Sequence, residues 1–179
     1  MTSHTSKCNC RENSIRQTLQ ALHQGGVEFI VVGGICARVL GLDHPVNDLD
    51  IVYRRSYENC RKIAETLRPF SPYPRGLPPG QAVPWNTSVI RQGYSFLIQT
   101  DLGEMDLIAE LSGGLTFQKI RKRTFAAEVF GVACQCLELD LMIYHIELAG
   151  RPKDLRLARR LSALRDTSAQ QPPEFEKKL

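Results

Sequence analysis

Two aspartates, Asp48 and Asp50, flank a leucine at the start of an apolar stretch, DLDIVY. Residues i and i+2 of a β-strand point to the same face, so both carboxylates would project side by side. Neither has a lysine or arginine in the preceding turn to neutralise it. A divalent cation would relieve their repulsion, and Mg²⁺ favours carboxylates, waters and substrate phosphates as ligands. The alternative interpretation is a solvated strand end.

A glycine pair, Gly33-Gly34, directly follows the apolar run VEFIVV and precedes a short apolar segment. Glycine allows the backbone to approach a ligand closely, and a helix starting there offers free N–H groups to phosphate. The pair is therefore typical of either a phosphate-binding turn or a simple tight turn.

A third carboxylate, Asp106, stands between Met105 and Leu107 in the alternating stretch EMDLIAEL. A carboxylate among the apolar residues of a central strand is unfavourable unless a cation or metal ion pairs with it. The alternative is a strand end with a wet face. Glu104 shares the face of Asp106 and is a second candidate for the same role.

Cysteine and basic residues carry weaker information. Two Cys-x-Cys pairs occur, Cys8/Cys10 and Cys134/Cys136, and this spacing is weak evidence for a zinc site. The second pair lies in a strand-like run, which indicates thiols of the core.

The net charge of +4 tolerates a polyanionic partner without requiring one. Solvated faces are the simpler interpretation of the two basic clusters. These clusters are Lys119, Arg121, Lys122 and Arg123, and then Arg151, Lys153, Arg156, Arg159, Arg160 and Arg165.

Hydrophobic periodicity predicts the elements that must position these residues. Asn13 is expected to cap the first helix, and Ser56 to cap a later one. Residues 69–85 are rich in proline and glycine, which indicates a long connection of the kind that is often functional. The order of elements indicates an α+β fold. The predicted helices cover 13–24, 35–40, 56–67, 139–148 and 152–164, and the predicted strands cover 27–32, 48–53, 94–100, 104–111 and a hairpin through Phe130-Gly131.

The length of 179 residues suits one domain, and 42% hydrophobic with 23% charged residues excludes wholesale disorder. We expect a flexible leader at 1–12, a domain at 13–166 and a flexible tail at 167–179. No apolar run approaches the ~20 residues of a membrane span, and the polar N-terminus lacks the apolar stretch of a signal peptide. The expected location is the cytoplasm, with no membrane partner.

The stretches FIVVGG, DLDIVYRRS and GEMDLIAEL, in this order, resemble the polymerase-β-like nucleotidyltransferases. The likeness is strongest to small single-domain bacterial members, such as the minimal nucleotidyltransferases and AbiEii-like proteins. It includes YRRS at Tyr53–Ser56, the TDLGxxDL hairpin at Thr100–Leu107 and GRPKDL at Gly150–Leu155. The resemblance covers residues 15–165 and does not identify a substrate.

The resemblance implies a small mixed β-sheet flanked by helices and a metal-dependent reaction. Mg²⁺, or Mn²⁺ in its place, would be held by the catalytic residues Asp48, Asp50 and Asp106. An NMP would pass from an NTP to an acceptor hydroxyl on RNA, protein or a small molecule, with release of pyrophosphate. The alternative is a weak or inactive module that binds nucleotide or a protein partner, such as an antitoxin-like component. Candidate nucleotide-binding residues are Gly33, Gly34, Arg54, Arg55, Arg151 and Lys153.

Four departures from the pattern favour the alternative. Ile35 and Cys36 stand where the wider superfamily often has serine, and Val46 stands where close relatives have threonine. His44 replaces an arginine, and Ile146 replaces a lysine; His145 is adjacent but points about 100° away around a helix. Each replaced group would have offered a donor or a charge near phosphate.

Overall fold

The computed structural model describes residues 3–77 and 84–170, with side chains described over 10–77 and 84–167. These ranges form seven α-helices and nine strands. The helices are α1 (Ser3–Gln24), α2 (Gly33–Val39), α3 (Tyr57–Leu67), α4 (Thr87–Gln92), α5 (Phe117–Ile120), α6 (Leu139–Ala149) and α7 (Pro152–Gln170). The strands are β1 (Phe29–Val31), β2 (Leu49–Tyr53), β3 (Tyr73–Pro74), β4 (Ser95–Thr100), β5 (Gly103–Ile108), β6 (Glu110–Leu111), β7 (Leu115–Thr116), β8 (Thr124–Val129) and β9 (Val132–Leu137).

Seven strands form one mixed sheet in the order β3-β4-β5-β2-β1-β9-β8, while β6 and β7 pair separately. The β2–β5 and β1–β9 pairs are parallel, and the other neighbours in the sheet are antiparallel. In the β2–β5 register, Asp50 lies directly opposite Asp106. Two central strands therefore place these carboxylates in one row. The predicted α+β fold, a small mixed sheet flanked by helices, is confirmed.

The core forms around β1 and β2, whose apolar residues pack against the helices. Ile30 and Val31 of β1 and Ile51 of β2 are buried. Helix α3 buries one face, and Ser56 caps it as predicted, since its side chain accepts a hydrogen bond from the Asn59 N–H. Alternation along β2 puts Asp50 on the face opposite Ile51. The buried neighbours of Asp50 thus fix where its carboxylate projects.

The predicted helix start at Asn13 is wrong, because α1 begins at Ser3. Residues 3–12 contain neither glycine nor proline, so nothing in them interrupts the helix. Helix α7 likewise continues to Gln170, past its predicted end at Leu164. The domain bounds, the flexible leader and the flexible tail remain predictions, and residues 1–2 and 171–179 lie outside the described residues.

The segment predicted as a long connection, residues 69–85, contains strand β3 at one edge of the sheet. Pro74 is compatible with a strand there, since an edge strand can leave one side unpaired. Residues 78–83 of the segment lie outside the described residues. Helix α4, which was not predicted, follows and is capped by Asn86 through the Val89 N–H. Over the described residues, no helix combines the length and apolar character needed to cross a membrane.

Candidate active site

Three carboxylates meet at the N-terminal end of β2. Asp48, Asp50 and Asp106 each offer an oxygen, and these oxygens lie within 4.8 Å of one another. Strand alternation aligns Asp48 with Asp50, and the parallel register brings Asp106 beside them. The predicted clustering of the three side chains is therefore observed. Oxygen ligands at this separation suit Mg²⁺ or Mn²⁺.

The Gly33-Gly34 turn is shaped by the approach of Asp50. Gly33 has a φ of +64°, and a Cβ there would overlap Asp50 Oδ2 and lie 2.7 Å from its Cγ. Helix α2 begins at Gly33, and the backbone N–H of Gly34 lies close enough to the Asp50 carboxylate to lower its pKa. Position 33 requires glycine for two reasons: the backbone has a positive φ, and Asp50 occupies the space of a Cβ. The Gly34 N–H, expected to bind phosphate, is directed to a carboxylate.

Burial and the charge of Asp48 raise the pKa of Asp50 to about 6. Arg75, the Gly34 N–H and Lys153 act in the opposite direction, because each stabilises the ionised form. The carboxylates thus repel one another, and the nearby cations offset only part of their negative charge. A divalent ion would compensate them further.

Arg75, immediately after β3, lies among the carboxylates. Its Nη1 lies 3.3 Å from Asp48 Oδ2 and 2.9 Å from Glu104 Oε2, and its Nη2 donates to Asp106 Oδ1. Arg75 was not predicted as a site residue, because the turn before Asp48 in the sequence contains no cation and Arg75 lies 27 residues further on. The one signal for Arg75 in the sequence was its position within residues 69–85, since long connections inside a domain often have a function. Glu104, the second candidate for the third carboxylate, pairs with Arg75 and lies outside the three-aspartate cluster.

The three aspartates line a cavity of about 730 Å³. Its far wall comes from the end of α6 and the start of α7 and contributes Lys153 and Arg151. Lys153 lies near enough to lower the pKa of Asp50, while Arg151 Nε donates to Asp154 within the first turn of α7. The rest of the lining mixes polar and apolar residues, the polar ones including Asn47, Ser95, Glu110 and Ser112 and the apolar ones Val32, Pro45, Leu97, Ile108, Leu111, Ile146, Ala149 and Leu157.

Two histidines in this lining are uncharged at neutral pH. Burial lowers the pKa of His145 to about 4, and burial together with Arg160 lowers the pKa of His44. Both Nδ1 atoms are buried without a hydrogen-bond partner among the described residues. His145 was expected to point away from Ile146 around α6, yet both residues line the cavity. The cavity is therefore wide enough to be lined by two neighbouring faces of that helix. Neither histidine replaces the expected cations.

Arg54 and Arg55, predicted to bind nucleotide, are not brought to the cavity. They follow the C-terminal end of β2, about 13 Å along the strand from Asp50. Arg54 pairs with Glu28 at 2.9 Å, and Arg55 donates to the backbone carbonyls of Arg91 and Gln92. Their side chains stabilise the opposite end of the sheet.

The remaining predicted features lie away from this cavity. Cys134 and Cys136 are buried, as predicted for core thiols, and Cys10 is exposed. Among the described side chains, the three aspartates are the one group of three or more that could hold a metal ion.

Two solved structures share the architecture. An antigenic nucleotidyltransferase-like protein from Paracoccidioides brasiliensis is 12% identical over 89% of this chain and 77% of its own, with a TM-score of 0.55. The antibiotic-resistance factor ANT(2'')-Ia is 14% identical over 93% of each chain, with a TM-score of 0.52. No family model matches the sequence, and no curated protein matches it. At these identities the likeness shows the fold alone: the chain shares the fold of a nucleotidyltransferase-like protein.

Proposed function

We propose that this protein is a metal-dependent nucleotidyltransferase that moves an NMP from an NTP to an acceptor hydroxyl and releases pyrophosphate. The observation that carries the proposal is the cluster of Asp48, Asp50 and Asp106 on two central strands, with their oxygens within 4.8 Å of one another. The cavity beside it also presents Lys153, a cation suited to phosphate. The acceptor class, whether RNA, protein or small molecule, stays open.

The donor set fits a divalent ion, because all three candidate ligands are carboxylates and hard oxygen ligands suit Mg²⁺ and Mn²⁺. Gly33 supports the same interpretation, since it lets Asp50 approach where any Cβ would block it. When bound, such an ion offsets triphosphate charge and lowers the pKa of an attacking hydroxyl.

The chain's own residues then have separate roles. Asp48, Asp50 and Asp106 would hold the ion, and a carboxylate oxygen of Asp106 also accepts the proton of the acceptor hydroxyl. The hydroxyl oxygen forms a bond to the α-phosphorus while the bond from that phosphorus to the bridging oxygen breaks, and pyrophosphate leaves with that electron pair. Lys153 orients the phosphates from the far wall of the cavity.

A second candidate function is a module that binds nucleotide or a protein partner without catalysis, as an antitoxin-like component would. The observation that favours it is the lack of charge at two positions. Ile146 is apolar and 4% exposed, and burial lowers the pKa of His44. The two hypotheses differ in whether a covalent product forms.

The test is incubation with each α-labelled NTP, Mg²⁺ or Mn²⁺ and a cell extract. We expect label to appear on one macromolecule or metabolite with the wild type and to be lost with Asp48→Asn. Asp101→Asn is the matched control, since Asp101 is an exposed aspartate in the β4–β5 turn. If the wild type labels nothing but binds NTP, the non-catalytic function takes precedence. If it binds neither NTP nor metal at millimolar concentration, the catalytic proposal is refuted.

A further inference from the structure

The guanidinium of Arg75 lies where three carboxylates converge. It contacts Asp48 and Asp106 of the aspartate cluster and also Glu104, and only 24% of its side chain is exposed. The charge of Arg75 also favours the ionised form of Asp50, the remaining member of the cluster, as do the Gly34 N–H and Lys153. Arg75 therefore contacts two members of the cluster and acts on the third through its charge.

Arg75 and a divalent ion compete for the same carboxylates. Asp48 and Asp106 are candidate metal ligands, and each already accepts a hydrogen bond from Arg75. An ion held by both would lie close to the guanidinium, and the two positive charges would repel each other. The four carboxylates carry −4 against +2 from Arg75 and Lys153, so the local balance also favours additional positive charge.

Arg75 is tied to the cavity by groups that a metal ion does not need. Its backbone N–H donates to the Leu97 carbonyl at 2.8 Å, and Leu97 lies opposite Asp106 in the β4–β5 register. Glu104 lies outside the aspartate cluster, is 47% exposed and holds Arg75 Nη1 at 2.9 Å. A guanidinium displaced from Asp48 and Asp106 thus remains at the cavity rim.

We propose that Arg75 exchanges with the metal ion and then binds the phosphates of the nucleotide. The phosphate half of this inference rests on the proposed function, and the exchange half does not. Arg75 is suited to phosphate because its guanidinium offers five donors in a planar fork. Its Nε is buried without a hydrogen-bond partner among the described residues, so one donor is already available. It would supply the charge that Ile146 and His44 lack.

The exchange predicts effects of opposite sign for one substitution. Arg75→Gln removes the competitor, so Mn²⁺ alone should bind roughly ten times more tightly or better. The same substitution removes a phosphate ligand, so inorganic tripolyphosphate at saturating Mn²⁺ should bind roughly 10–100 times more weakly. A purely structural role for Arg75 would weaken both.

Mn²⁺ affinity is read from the electron paramagnetic resonance signal of the free ion, and tripolyphosphate affinity from calorimetry. Arg68→Gln is the matched control, because Arg68 is exposed, precedes the same segment and makes no described side-chain contact with the cluster. It should change neither affinity more than about twofold. Tripolyphosphate carries the phosphate charge without a base, so the result does not depend on which NTP is used.

A third measurement uses the wild type and does not depend on how a variant folds. In protein labelled with ¹⁵N-arginine, Mg²⁺ should shift the Arg75 Nε–Hε resonance and leave that of Arg68 in place. An unmoved Arg75 resonance at saturating Mg²⁺, or Mn²⁺ binding that Arg75→Gln leaves unchanged or weaker, overturns the exchange. Tighter Mn²⁺ binding with unchanged tripolyphosphate binding overturns the phosphate role alone. A wild type that shows the exchange but transfers no nucleotide refutes the proposed function and leaves the exchange standing.

Discussion

At the scale of single residues, the Asp50 carboxyl is subject to opposing influences. Burial and the neighbouring Asp48 charge disfavour its ionised form, while Arg75, the Gly34 N–H and Lys153 favour it. Burial and the Asp48 charge outweigh the three stabilising groups, and the pKa of Asp50 rises from 3.8 to about 6. The metal-free fold is therefore more stable with Asp50 protonated. Two pKa units correspond to about 3 kcal/mol.

We predict that the metal-free protein loses stability as the pH rises. Because the folded pKa lies above the unfolded one, the stabilisation is complete below pH 4 and is lost as the pH passes through about 6. Urea unfolding in EDTA should show a decrease of up to about 3 kcal/mol between pH 4 and pH 7 that is absent from Asp50→Asn. Protons also compete with metal, so Mn²⁺ should bind the wild type roughly ten times more weakly at pH 5 than at pH 7. A pH-independent Mn²⁺ affinity would contradict this environment for Asp50.

Two cations at the start of α7, Arg151 just before it and Lys153 in its first turn, should contribute unequally to phosphate binding. Arg151 Nε donates to the buried Asp154, whereas Lys153 makes no such ion pair among the described residues and acts on Asp50. Lys153→Ala should weaken tripolyphosphate binding at saturating Mn²⁺ roughly 10–100-fold, the effect of ~1–3 kcal/mol. Arg151→Ala should weaken it less and instead lower the free energy of unfolding, because it leaves Asp154 without its partner. Calorimetry and urea titration of both variants provide the comparison, and equal losses of affinity would show that Arg151 also binds phosphate.

At the scale of elements, the turn from β1 into α2 determines how closely Asp50 can approach. We predict that Gly33→Ala abolishes Mn²⁺ binding, because a Cβ there overlaps the Asp50 carboxylate. Gly26→Ala is the control: Gly26 has a φ of +62°, almost that of Gly33, but its Cβ would meet only Lys62 Nζ at 3.5 Å. Both substitutions should cost about 1–2 kcal/mol for a left-handed backbone, measured by urea unfolding. Gly33→Ala should cost more than Gly26→Ala, because its Cβ also overlaps Asp50. Only the Gly33 variant should lose the metal; retained binding would mean that Asp50 is not a ligand.

The aspartate cluster could be predicted from the sequence because strand alternation is a local rule. Asp48 and Asp50 align through the period of two, and the placement of Asp106 followed from its apolar neighbours and from the family resemblance. Arg75 follows no such rule. It reaches the cluster through the edge pairing of β3 with β4, and a two-residue strand has no periodicity to detect. Helix α4 was missed for a similar reason, since six residues are too few for a hydrophobic stripe.

Arg54 and Arg55 illustrate the limit of spacing as a guide. They follow the strand that carries Asp50 in the sequence, which made them candidates for phosphate binding. The two arginines nevertheless lie at the far end of β2, a strand of five extended residues. There Arg54 forms an ion pair with Glu28, which holds its side chain away from the aspartates. The reverse holds for Lys153, distant in sequence but adjacent to Asp50 because α7 packs across the site.

At the scale of the whole molecule, the basic clusters are partly used within the fold. Arg160 donates to the Asp43 carbonyl, Arg165 lies 3.6 Å from Asp140, and Arg123 pairs with Glu138. These contacts attach α7 and β8 to their neighbours. Exposed cations such as Arg156 and Arg159 are the ones available to a polyanion, so RNA as the acceptor remains a proposal based on a few surface charges.

Metal binding should stabilise the molecule as a whole. The candidate ligands lie on or beside β2 and β5, two adjacent strands in the interior of the seven-stranded sheet, so unfolding of that sheet would release the ion. Mn²⁺ at ten times its Kd should add about 1.4 kcal/mol, the value of RT ln 11, and raise the Tm by roughly 3–6 °C for a chain of this size. Asp106→Asn removes a ligand and should show no rise, and a potassium salt at equal ionic strength should not reproduce it. An equal rise in wild type and variant would place the bound ion elsewhere on the protein, and the aspartate cluster would then not be the metal site.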